Sequence, residues 1–170
     1  MDANELRAMQ APIKDRYKSD PGAALITLKA RGSLDDQNIA CKVDTGRAIV
    51  EAGLHPATGG DGSQACSGDM LLEALVACAG VTLRAVATAY GIDIKSGNVE
   101  AEGDLDFRGT LGVDKEAPVG FRAIRVTFRL DTDASVENLD KLLATTERYC
   151  VVLQTLRKGV AAEAKIVKQR

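Results

Sequence analysis

Residues 70–90 read MLLEALVACAGVTLRAVATAY, and the fold turns on how this stretch is understood. Apart from Glu73, Thr82, Arg84 and Thr88 it has almost no polar face. A helix that is apolar nearly all round must be covered nearly all round. Its small residues, Ala74, Ala77, Ala79, Gly80, Ala85, Ala87 and Ala89, let a helix or sheet approach closely. A bilayer span needs about 20 mostly apolar residues, whereas Glu73 and Arg84 leave only residues 74–83 uncharged. The stretch therefore reads as the buried helix of a soluble domain. Short strands from one small chain struggle to cover it on every side. It is expected to lie between a sheet and a partner subunit in a homodimer, two-fold dimers being the commonest soluble oligomers. Gly91 can end the helix as its left-handed terminal residue, and Ser67 or Asp69 can cap its start.

Outward from that helix, the patterning alternates on both sides. Residues 23–30, AALITLKA, alternate apolar and polar as a half-buried strand does. Arg31-Gly32-Ser33 and Asp35-Asp36 supply turn residues, and residues 38–43 and 47–51 read as two more short strands. A glycine-rich loop over 53–68 leads into the helix. Beyond it, residues 98–108 and 121–130 have the period of long antiparallel strands, joined by a loop containing Pro118. Ser135 can cap a second helix with Val136, Leu139, Leu142 and Leu143 on one stripe. Residues 150–156 extend that helix or begin a third, and 161–167 read as a final short strand. Residues 5–17 form a short helix, so 1–20 are read as an N-terminal helical extension and 21–170 as a single domain. The order of elements makes an α+β fold.

Composition narrows the function. The chain has 170 residues, 22 Lys and Arg against 24 Asp and Glu, and a net charge of -2. One domain of this size buries roughly two-thirds of its unfolded surface. The even mixture of charge leaves no footprint for nucleic acid. The N-terminal residues include acidic side chains and no apolar core, unlike a secretory signal. Four Cys are too few for a disulfide scaffold, so a cytoplasmic protein with reduced thiols is expected, with no membrane partner. The Cys positions (41, 66, 78, 150) match no zinc pattern and the sole His, His55, stands alone, so no metal or cofactor is expected. Gly59-Gly60-Asp61-Gly62 lacks the Lys and Ser/Thr of a phosphate loop.

The thiols remain. By position alone Cys78 is a small buried hydrophobe, because free Cys is among the most buried residue types. It lies too far inside its helix to feel most of the macrodipole, so a reactive thiolate there needs a nearby guanidinium or a similar cation.

Three segments carry a resemblance: LLEALVACAGVTLRAVATAYGIDI, then NVEAEGDLDFRGTLG, then TTERYCVVLQTL. In order and separation they resemble the OsmC/Ohr family, osmotically inducible and organic hydroperoxide resistance proteins, from about residue 23 to the end of the chain. The resemblance implies an intertwined homodimer with central helices cradled by the sheets of both subunits. It implies a thiol-dependent peroxidase that reduces organic hydroperoxides and is regenerated by a dithiol reductant. Cys78 matches the peroxidatic thiol, Cys150 the resolving thiol, and Arg31 the guanidinium that holds the thiolate, with Arg47 as the lesser match. Cys66 is an alternative resolving thiol. The chain departs from the family pattern at Gly68, where a Glu is usual, and at Val151, where a Pro is usual; Gln154 stands where an Asn is often found. The alternative is a non-catalytic small-molecule-binding or redox-sensing protein on the same fold.

Overall fold

The computed structural model describes residues 3–34, 41–43, 53–166 and 168. Helix α1 spans Ala3–Ser19, followed by strands β1, Leu25–Leu34, and β2, Cys41–Val43. The apolar helix is α2, Ser67–Tyr90. Strand β3, Ser96–Asp106, runs into the short helix α3, Phe107–Thr110. Strand β4, Ala123–Asp131, precedes helices α4, Val136–Tyr149, and α5, Val151–Lys158. The strands form one antiparallel sheet in the order β2-β1-β3-β4, so the α+β expectation holds.

The sheet has two unlike faces because side chains alternate along each strand. On β3, Val99, Ala101 and Leu105 are buried toward α2, where they meet Leu72, Leu75, Val76 and Ala79. Ile124, Val126 and Phe128 of β4 pack against the same cluster. The other face is charged: Arg125 bonds Asp104 at 2.6 Å and reaches Glu102, and Arg129 pairs with Glu100. A second cluster joins Leu83 and Ala87 of α2 to Ile94 and Leu142. Gly103 lets Phe121 lie flat across the sheet, since a Cβ there would stand 2.3 Å from its ring. Gly91 ends α2 at φ 66° and donates to Ala87 and Thr88, as its sequence position implied.

Several local expectations change. Arg31-Gly32-Ser33 is not a turn: β1 continues through it, pairing Arg31 with Glu100 and Ser33 with Asn98. The ladder with β3 outweighs the turn preference of Gly and Ser. The second strand is described only over Cys41–Val43; the strand expected at 47–51 lies outside the described residues, as does Arg47. Helix α2 starts at Ser67 with Cys66 at its N-cap, and neither Ser67 nor Asp69 is the capping residue. β3 stops at Asp106, whose carboxylate accepts from the Arg108 N–H and turns the chain into α3. Ser135 caps α4 as expected, but of its stripe only Leu142 is fully buried, while Val136 and Leu143 are exposed. Residues 159–166 form no strand and lie exposed. The N-terminal helix is more than an appendage: Tyr17 is buried in the main core and its hydroxyl donates to the Ala57 carbonyl at 2.7 Å.

Candidate functional site

Cys78 sits at an edge of α2. At 100° per residue, Leu75, Ala79 and Leu83 point to the sheet, whereas Met70, Ala74 and Val81 point away. Cys78 falls between the two sets and is half-buried. The late helical region arrives over this edge. There the chain breaks helix at Cys150, which ends α4 and begins α5 with φ -69° and ψ 105°. Cys150 is completely buried.

The break is braced on its outer side. Gln154 Nε2 donates to the Glu147 carbonyl at 2.7 Å, so the amide singled out in the sequence spans the bend. The Arg157 guanidinium grips the Glu147 carboxylate with bonds of 2.7 and 3.1 Å and holds its pKa below the usual carboxylate range. These ties hold α5 at an angle to α4, with its first turn toward α2.

Although 72 positions separate them, Cys78 and Cys150 pack into one core cluster, close enough for each thiol to shift the other's pKa. Burial pushes Cys78 toward the neutral form. The backbone amides of Val152 and Val151, the Cys150 thiol and the Thr82 hydroxyl outweigh it, so its pKa falls below the ordinary 9.0. Burial raises Cys150, and the neighbouring Cys78 sulfur adds to the effect, to about 11. Cys78 is therefore the more acidic thiol of the pair and the first to lose its proton as pH rises. Neither is in a disulfide.

Arg31 stands opposite Glu100 in the β1–β3 register; its side chain lies outside the described residues. Among the described residues, no guanidinium is among the groups that act on Cys78. Cys66 caps α2, twelve residues or about 18 Å along the axis from Cys78, beyond disulfide reach within one helix. His55 is not the idle, solvated loop residue its position suggests. It stacks on Phe107 with ring centroids 4.9 Å apart, and its Nδ1 accepts from the Ala57 N–H. Burial lowers its pKa, against the pull of Asp69. Asp69 thus faces a histidine, and burial raises its carboxyl pKa. Asp106 and Arg108, within the segment NVEAEGDLDFRGTLG, form an anchoring pair at 2.6 Å with Asp106 buried. Among the described residues, no cluster of three or more His, Cys, Asp or Glu is placed to hold a metal ion.

A groove of about 720 Å³ opens between β4 and α5, with Arg122, Arg125, Glu147 and Arg157 among its lining residues. Leu71, Phe121, Ile124, Val126, Leu153 and Leu156 form its apolar lining. Leu71 is seven residues before Cys78, hence on the same side of α2 and about 10 Å away along its axis.

An apolar helix laid across an antiparallel sheet, with a thiol pair at its edge, defines a redox-capable α+β class. The chain belongs to the OsmC-like protein family, whose model matches residues 60–165. The resemblance read from the sequence is thereby borne out. Among solved structures, the chain is similar to an OsmC-like hydroperoxide resistance protein from Jannaschia sp. CCS1. That likeness has a TM-score of 0.58 and 16% identity, covering 86% of this chain and 93% of the other. At this identity it shows a shared fold. No curated protein sequence matches the chain.

Proposed function

We propose that the protein is a thiol-dependent peroxidase for organic hydroperoxides, with Cys78 as the attacking thiolate and Cys150 as the resolving thiol. The observation that carries this reading is that two free thiols remote in sequence pack into one core cluster, with Cys78 the more acidic of the two. The Cys78 thiolate attacks the outer peroxide oxygen, the O–O bond breaks, and the alcohol leaves after taking up a proton. Cys78 is then a sulfenic acid. Removing its charge also removes one cause of the high Cys150 pKa, so the second thiol becomes acidic when it is needed. Cys150 displaces the sulfenic oxygen as water and forms the disulfide. A dithiol reductant reopens the bond by two exchanges and leaves as its own disulfide.

The position of Cys78 on the apolar helix α2, among Leu75, Val76 and Leu83, supports organic hydroperoxides over hydrogen peroxide. The working unit is a homodimer that buries the outward face of α2, and the reduced thiols suit the cytoplasm. Arg31 enters this reading only as a residue that a second copy presents.

The test is peroxide consumption with a dithiol reductant. The wild type turns over cumene hydroperoxide, Cys78→Ser does not, and Cys150→Ser loses multiple turnover. An inert wild type overturns the enzymatic reading. Peptide-resolved alkylation of the resting protein gives the pH signature: Cys78 reacts below the ordinary thiol value of 9.0, and Cys150 only as the pH nears about 11. A second reading, a non-catalytic binder or redox sensor, is favoured by Gly68, which stands where a Glu is usual in the family. One equivalent of cumene hydroperoxide separates the readings by mass spectrometry. The enzyme forms a Cys78–Cys150 disulfide and goes on turning over, a sensor forms it once, and a binder keeps both thiols.

A further inference from the structure

Among the described residues, one buried side-chain polar atom has no hydrogen-bond partner: Oγ1 of Thr146, on α4. The residue is 1% exposed, so its hydroxyl is closed to solvent. Hydroxyls inside helices commonly bond back to the carbonyl one turn earlier. Thr88 does so with Arg84 at 2.8 Å, and Ser19 with Asp15 at 3.2 Å. Thr146 makes no such bond to Leu142, and a hydroxyl left this way in a core destabilises the fold that holds it. Its place explains what it is for. Leu142, Thr146 and Cys150 recur one helical turn apart on one face of α4, and all three are buried. Leu142 packs on Leu83 and Ala87 of α2, while Cys150 shares the main core with Cys78. The Cys150 N–H donates to the Thr146 carbonyl at 2.9 Å, so the last turn is intact and the two side chains stand one above the other. Thr146 thus meets α2 between Leu83 and Cys78.

We infer that the Thr146 hydroxyl is the hydrogen-bond donor for the oxygen atom that Cys78 gains from a peroxide. The inference rests on the peroxidase reading and assigns a residue to its second half. A hydroxyl closed to solvent gains a partner only from a group that forms inside, and the sulfenic oxygen of Cys78 is such a group. Donation to that oxygen stabilises the charge it develops on leaving. Cys150 attacks the Cys78 sulfur: the S–S bond forms, the S–O bond breaks, and the oxygen departs as water with the proton that Cys150 gives up. The donor is already in place in the reduced protein, which is the less stable for holding it unpaired.

The experiment follows one turnover of the full chain with one equivalent of cumene hydroperoxide, by quenched flow and mass spectrometry, beside chemical denaturation of the reduced protein. Thr146→Val removes the hydroxyl and keeps the shape. It should raise the denaturation midpoint and consume peroxide at the wild-type rate. The Cys78–Cys150 disulfide should then form about three- to tenfold more slowly, as the loss of one ordinary hydrogen bond predicts, and dimedone should trap more sulfenic acid at Cys78. Thr146→Ser returns the hydroxyl and most of the disulfide rate. A merely structural threonine predicts a lower midpoint in Thr146→Val. That lower midpoint, equal disulfide rates in wild type and Thr146→Val, equal slowing of both steps, or a Thr146→Ser as slow as Thr146→Val would each refute the assignment. A wild type that consumes no peroxide overturns the peroxidase reading along with it, so the two failures are told apart.

Discussion

The outward face of the sheet and the outward face of α2 are finished in opposite ways. The sheet turns charge to solvent: Glu100, Glu102 and Asp104 on β3 are met by Arg125 and Arg129 on β4. The Arg125 bond, with help from Thr27, holds the Asp104 carboxyl at about 2, a sign of a well-matched pair. α2 has nothing comparable. Met70, Ala74 and Val81 are exposed along one stripe, and its inner residues Leu72, Leu75 and Val76 have the same apolar character but are fully buried. The sheet is complete toward water within one chain, whereas the helix is complete on only one side. Cys78 sits on the seam between the covered and uncovered sides, where a thiol can be both desolvated by its own chain and reached from outside.

The largest effect should come from the inner side. Leu75→Ala leaves a cavity between α2 and the sheet and should cost about 2–5 kcal/mol in chemical denaturation. A cost as small as that of a surface substitution would mean that α2 does not pack on the sheet as described. Next comes the outer side. Val81 is 38% exposed, so Val81→Asp should leave the chain folded while dissociating the proposed homodimer in sedimentation. An unchanged sedimentation coefficient would remove the α2 stripe as the dimer interface. The smallest effect belongs to the charged face of the sheet. Arg129→Ala removes one exposed ion pair and should move the melting temperature by no more than about 3 °C. A large shift there would show that the charge ladder stabilises the fold, and the contrast between the faces would be lost.

Most elements were legible because their periodicities are strong. The 24-residue α2, the alternation in β3 and β4, and the Ser135 cap of α4 are local properties that the fold respects. The errors arose where a distant partner overrode a local preference. Gly32 and Ser33 favour a turn, but Val99 and Asn98 across the ladder keep them in strand. The alternation after Ala161 has no neighbouring strand to pair with among the described residues, and residues 161–166 stay outside the sheet. Tyr17 looked like part of an appendage because nothing near it in sequence reveals the Ala57 carbonyl that it reaches.

The candidate site was legible in its thiols, through the spacing that carried the family resemblance. What the sequence did not show is the break of helix at Cys150, which seats this thiol in the core with Cys78 and makes it the less acidic of the two.

Amino-acid order alone determined that a long, small-residue, apolar helix would form the centre of an α+β domain, since helix period, end residue and burial tendency are all local. Only the tertiary structure decided which thiols meet, which of them is the more acidic, and which face of that helix stays open. Those outcomes depend on the angle at which α5 leaves α4 and on the pairing of strands far apart in the chain, and neither is encoded in any single segment.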